Sequence, residues 1–304
     1  MSTFPYSWLM LCSLLFSATS QANIRVKDSL GEHVLAQTPT RIVALNWDLA
    51  EQLLELGVTP LAVANIKDYQ TWVVKPAIPD AVQDVGTRTE PNLEKLASLK
   101  PDLILIASPQ KDLMVRLQTI APVLYYETYN ADQDSAAAAI ENFKNIAGVV
   151  GKSTRAEQKL NDMKERFREL KQQLNDAYNG HLPSVVAIRF ASQTTIYLYT
   201  NQSTTAYAIK QLGLTVERPQ AAKKWGIVQK RLTELQYVSK GYVIYFDAID
   251  QQNKLDKSML WKALPFVRNG HVNQAQPVWN YGGAMSIQYI AESITQSLLE
   301  IKPQ

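Results

Sequence analysis

Arg88 sits in "DVGTRTEPNLEKL" (residues 84–96), between Gly86 and the acid-containing start of a helix. A guanidinium carries a permanent charge and a planar fork of donors, which suits a pair of adjacent anionic oxygens. A surface pairing with Asp84 or Glu90 is the other reading of the same residue. Aromatic residues gather at expected strand ends and in loops: Trp47, Trp72, Trp225 and Trp279, with Tyr69, Tyr197 and Tyr281. "VWNYGG" (278–283) and "KKWG" (223–226) set rings beside polar residues and glycines, where the chain turns. That combination lines wide, partly apolar pockets, although tryptophans also fill cores. A second arginine, Arg189, falls near the end of the strand-like run "SVVAIRF" (184–190). It either faces a cleft or pairs with an acid of its own half of the chain; with Lys223 and Lys224 it would suit an anionic ligand.

Other chemistries find no footing. "GVVGKST" (148–154) resembles a phosphate loop but has Ile146 where the first glycine belongs, and it joins helix to helix. His33, His181 and His271 are far apart and lack metal-ligand spacing. There is no G-x-S-x-G and no H-E-x-x-H, and Cys12 is the single cysteine. Nothing marks two carboxylates as an acid–base pair. The formal charge of +3, with no basic run, gives no nucleic-acid footprint. These features point to binding, not catalysis, with no cofactor and no metal ligated by the protein.

The elements that must position these residues follow from hydrophobic periodicity. The chain has 304 residues, 46% hydrophobic and 19% charged, enough for one large or two modest cores. "RIVALNW" (41–47), "PLAVAN" (60–65), the apolar part of "PDLILIA" (101–107) and "PVLYYE" (122–127) read as strands. Helical patterns at 49–57, 91–99 and 112–121 lie between them. Strand–helix alternation with short connections implies a covered parallel sheet. From 154 to 178, Ala156, Leu160, Met163, Phe167, Leu170, Leu174 and Ala177 recur at spacings of three and four. They form one stripe on a helix of about seven turns, roughly 37 Å long, with Thr154 and Glu157 placed as a capping box. Alternation then resumes with strands at 184–190, 195–199 and 241–246 and helices at 203–213, 257–263 and 284–300. The fold class is α/β: two α/β lobes with central sheets, joined by one long rigid helix, with a ligand cleft between the lobes.

The first 22 residues stand apart. "WLMLCSLLF" (8–16) is too short to span a bilayer, and Ser20 and Ala22 precede Asn23 as small residues do at a leader cleavage site. Leu11 before Cys12 does not suit lipid attachment. The expected organisation is a signal peptide at 1–22, an N-terminal lobe at 23–150, a connecting helix at 151–180 and a C-terminal lobe at 181–304.

Four segments, "RIVALNW", "DVGTRTEPNLE", "LWKALPFVRNG" (260–270) and "PVWNYGG" (277–283), together resemble the periplasmic ferric hydroxamate-siderophore-binding proteins of ABC importers. The likeness runs from about residue 40 to the C-terminus. It implies a monomer in the periplasm, a ferric siderophore whose iron is held by the siderophore itself, small closure, and delivery to an inner-membrane permease. By the resemblance, Arg88 matches the arginine that contacts hydroxamate oxygens around iron. Trp72, Trp225, Trp279 and Tyr281 match pocket aromatics, Tyr197 lies at an apolar contact, and Trp47 closes the first segment. Gln110, in "ASPQKD" (107–112), stands nearest the place of the family's iron-side tyrosine. Arg189 replaces a residue that is more often small and polar, which implies tolerance of citrate-based hydroxamate–carboxylate complexes. Asp112 and Glu234 lie near the acids that meet permease arginines. A corrinoid or haem binder of the same fold class is the alternative, and an exported hydrolase is a third.

Overall fold

The computed structural model describes residues 23–246, 255 and 257–303; the expected leader, residues 1–22, lies outside the described residues. The chain opens with an antiparallel hairpin, β1 (Ile24–Asp28) and β2 (Gly31–Leu35). Next come β3 (Ile42–Ala44), β4 (Ala62–Val63), β5 (Gln83–Asp84), β6 (Leu103–Ile106) and β7 (Val123–Tyr125). They form a parallel sheet in the order β5-β4-β3-β6-β7. Every residue of β6 is buried, as expected when helices cover both faces of a parallel sheet.

The second sheet contains β8 (Ser184–Phe190), β9 (Thr195–Tyr199), β10 (Thr215–Val216), β11 (Ile227–Arg231), β12 (Tyr242–Phe246) and β13 (Val272–Ala275). Its order is β11-β9-β8-β12-β13, with β10 beside β8. The β8, β10, β12 and β13 pairings are parallel, whereas β9 runs antiparallel to β8 and β11. The two sheets make the two α/β lobes.

Helix α1 (Trp47–Glu55) begins two residues before the expected Leu49, because Asn46 is extended and ends the strand segment sooner. Further helices of the first lobe are α2 (Ile66–Trp72), α3 (Leu93–Ser98), α4 (Met114–Leu117) and α5 (Ser135–Val149). The long helix α6 spans Ser153–Ala177. Its stripe is buried from Ala156 to Leu174. The expected capping box does not form. Gly151, at φ +65, breaks the chain after α5, and Lys152 takes the N-cap without a side-chain bond, so Thr154 falls inside the first turn.

Helix α6 grips its neighbours with charge as well as apolar surface. Arg155 Nε donates to the Glu55 carbonyl at 2.9 Å, and Lys159 meets the Glu55 carboxylate at 2.6 Å. Arg166 Nε bonds Glu292 on the C-terminal helix (Ala284–Glu300) at 2.9 Å. One apolar core runs from Ala44 and Val63 of the first sheet, through Phe143, Leu160 and Leu170, to Ile244 and Phe246 of the second. The lobes are therefore seated on a common packed floor in addition to the brace.

Candidate functional site

The segment carrying Arg88 is a tight loop between β5 and α3. Gly86 adopts φ +91, and a Cβ there would come within 3.2 Å of both Asn92 N and Glu90 O, so glycine alone suits the turn. Gly86 bridges Pro91, the Asn92 N–H bonds the Val85 carbonyl at 2.8 Å, and Asn92 Oδ1 caps α3 by accepting from the Lys95 N–H. The Glu90 N–H donates to Thr87 Oγ1 at 2.9 Å, which closes the tip. Arg88 projects from it with its guanidinium carbon 3.7 Å from the Trp47 ring centroid and 5.6 Å from that of Trp279. Neither Asp84 nor Glu90 forms an ion pair with it. Burial lowers the Arg88 pKa, and the fields of Asp48 and Asp68 act the other way.

Arg88 lines a cavity of about 400 Å³ between the lobes. The first lobe also contributes Asn46, Asn65, Thr87 and Tyr129, and the second contributes Arg189, Trp225, Trp279 and Tyr281. Trp225 stands at φ +71 just before Gly226 and is 37% exposed, the most solvent-open of these rings. Trp279 and Tyr281 pack edge-on at 5.3 Å, and Tyr281 meets Tyr129 at 5.5 Å. Burial pushes the Tyr281 hydroxyl up to about 12 while the charge of Arg189 pulls it back. The Tyr129 hydroxyl is raised well above its ordinary value by burial and donates to the Gly282 carbonyl at 2.7 Å.

Three other expected site residues stand behind the cavity wall. Trp47 is buried, donates Nε1–H to the Ala64 carbonyl at 3.0 Å, and serves as the platform under Arg88. Tyr197 lies under Arg189, 5.2 Å from its guanidinium carbon. Trp72 borders a small side cavity with Arg189, Phe246 and Trp279.

Gln110 is the clearest correction. It is wholly buried and does not line the cavity. Its Oε1 accepts from the Ala107 N–H at 3.1 Å, and its Nε2 donates to the Arg88 carbonyl at 2.7 Å. It therefore fixes the loop that carries the guanidinium instead of facing a ligand. Asp112 is exposed, whereas Glu234 faces Arg218 of its own chain at 3.9 Å. The histidines are dispersed: His33 meets Asp28 at 2.8 Å and His271 stacks on Tyr242 at 4.3 Å.

The floor of the cleft is a polar seam that periodicity does not announce. Glu51 is buried and accepts from the N–H groups of Gly283 and Ser286 and from Ser286 Oγ–H, so it caps the C-terminal helix across the lobes. Burial pushes its carboxyl up to about 8 against those donors. A Cβ on Gly282 would come 1.9 Å from Ser286 Oγ, which is why "YGG" carries glycine at that close approach. Asp48, equally buried, accepts from Asn46 Nδ2 at 2.7 Å; burial pushes it up to about 6. Tyr129, Asn46 and Asp48 were not foreseen as neighbours of the site. The usable signal is the three acids Asp48, Glu51 and Glu55 inside the apolar pattern of α1, where solvated acids are not expected.

Comparison with known proteins finds relatives along most of the chain. The Fe3+-hydroxamate-binding protein FhuD of Escherichia coli (strain K12) is 29% identical over 272 residues, covering 88% of this chain and 89% of that protein. The Fe3+-citrate-binding protein YfmC of Bacillus subtilis (strain 168) is 28% identical over 283 residues, covering 90% and 85%. The crystal structure of the siderophore-binding protein FhuD of Vibrio cholerae, with Fe3+–Desferal bound, superposes with a TM-score of 0.86 at 53% identity over 87% of this chain and 99% of that one. A family model for periplasmic binding proteins matches residues 42–277. The chain belongs to the periplasmic binding protein family.

Proposed function

We propose that this protein captures a ferric hydroxamate-type siderophore in the interlobe cleft and delivers it to an inner-membrane ABC permease. The observation that carries the reading is Arg88, laid over Trp47 and facing a ring-lined cavity, with no ion pair to a carboxylate among the described residues. Iron-bound hydroxamate oxygens are anionic and adjacent, so one guanidinium can donate to two of them. The faces of Trp225, Trp279 and Tyr281 would cover the aliphatic arms. Iron needs no ligand from the protein, because the siderophore brings its own oxygens. The FhuD relative from E. coli is an Fe3+-hydroxamate-binding protein, and that from V. cholerae binds Fe3+–Desferal, which supports the binding half of this reading. The leader pattern at 1–22 supports a periplasmic address, and Asp112 is the exposed acid proposed to meet the permease.

Tryptophan fluorescence titration tests the reading against ferric hydroxamate, citrate-hydroxamate and catecholate complexes. Hydroxamate-containing complexes are expected to quench strongly, and Arg88→Ala is expected to weaken them about 100-fold, or about 2.7 kcal/mol. Quenching by catecholates alone, or an affinity indifferent to Arg88→Ala, overturns it.

A further inference from the structure

The cleft holds a second guanidinium that the hydroxamate reading does not use. Strand β8 alternates its faces: Val186, Ile188 and Phe190 turn to one core, while Val185 and Ala187 turn to the other. Arg189 continues the second set, at the point where that face runs out of core and opens on the cavity. Its cross-strand partner is Tyr197, and its guanidinium carbon lies 5.2 Å from that ring and 5.5 Å from the ring of Tyr281. Two rings thus flank the cation without neutralising its charge. Among the described residues no carboxylate forms an ion pair with Arg189.

The charge of the wall follows. Its lining includes Arg88 from one lobe and Arg189 from the other, and no acidic residue among the described residues. Lys224, next to Trp225 in the chain, sets a third cation 5.7 Å from that ring without lining the cavity. Asp48, the nearest acid to Arg88 in the floor, is buried beneath the cavity and does not line it. A neutral ferric complex can occupy Arg88 with its hydroxamate oxygens but leaves Arg189 desolvated with no counter-charge. A ferric complex carrying a free carboxylate can satisfy both forks, the second in bidentate fashion.

We infer that Arg189 is a specificity-determining residue that makes the cleft select net-negative ferric complexes of mixed hydroxamate–carboxylate type over neutral tris-hydroxamates. This rests on the ferric-siderophore reading above and names the ligand class within it.

The experiment titrates the wild-type protein, Arg189→Gln, Arg189→Lys and Arg88→Ala with two probes. One is a neutral ferric tris-hydroxamate; the other is an anionic ferric citrate-bis-hydroxamate whose arms carry free carboxylates. Circular dichroism first checks that each variant folds. Wild type should bind the anionic probe at least about tenfold more tightly, with that advantage shrinking as salt rises. Arg189→Gln should weaken the anionic probe about tenfold or more and the neutral probe less than about threefold, with Arg189→Lys in between. Arg88→Ala should weaken both. If Arg189→Gln shifts both probes equally, or neither, or if wild type prefers the neutral probe, the charge-selection role is wrong while the ferric-siderophore reading stands. If wild type binds neither probe, the ferric-siderophore reading itself falls.

Discussion

Replacing Gln110 by leucine separates a support from a contact. Leucine is close in volume but cannot hydrogen-bond. In the buried pocket of Gln110 the change orphans the Arg88 carbonyl, held at 2.7 Å, and the Ala107 N–H, held at 3.1 Å. Each orphaned buried group costs about 1–3 kcal/mol, so a loss of about 2–6 kcal/mol in stability is expected. In a chain of this size that lowers the melting temperature by roughly 3–10 °C. The Arg88 loop would also lose one of its anchors. The guanidinium would then spend part of its time off Trp47, and affinity for a ferric hydroxamate should fall about tenfold, roughly 1.4 kcal/mol. Thermal unfolding by circular dichroism and a fluorescence titration on the same samples read both effects. A variant that keeps the wild-type melting temperature while losing the ligand would mean that Gln110 touches the siderophore after all. A variant unchanged in both would mean that the loop does not depend on this bond.

Two further outcomes are expected. Asp48, pushed up to about 6 by burial, holds its proton more tightly folded than unfolded, so its contribution is present below about pH 4 and lost as pH rises through 6. Asp48→Asn should therefore gain about 3 kcal/mol over wild type between pH 4 and pH 8 in urea unfolding, and a pH-independent difference would refute the assignment. Second, the shared floor and the α6 grip should keep the change in radius of gyration on ligand addition below about 1 Å by small-angle scattering. A larger contraction would show that the lobes hinge.

Much of this arrangement could be read from the chain because apolar spacing is strong where elements are long. The α6 stripe is the best case: its seven positions are spaced as the 3.6-residue period requires, and six are buried. β8, β9 and the C-terminal helix begin and end where their patterns do. The hairpin β1–β2 and the short strands β10, β11 and β13 had no comparable signal. They are brief edge or surface elements whose burial alternates weakly, and pairing with neighbours, not periodicity, makes them strands. At the site, Arg88, Trp225, Trp279 and Tyr281 were visible as a charged turn and ring-bearing loops. Trp47 and Gln110 misled, because sequence places a residue near a strand end without saying which way its side chain turns. Trp47 turns inward beneath the arginine, and Gln110 turns back to bond a carbonyl. Tyr129, Glu51 and Asp48 come together only through the three-dimensional path of the chain.

The packed floor that runs unbroken from Ala44 to Ile244 has an outcome for traffic. If the lobes move as little as proposed, a filled molecule and a vacant one would present nearly the same silhouette to whatever receives them. On the proposed function, recognition of the filled form would then come from the mouth of the cleft: the cargo's own protruding surface, the orientation of Trp225, and the cancelled field of the arginines. Vacant copies would compete for the same berth, and import would depend on the ratio of filled to vacant molecules as much as on their number.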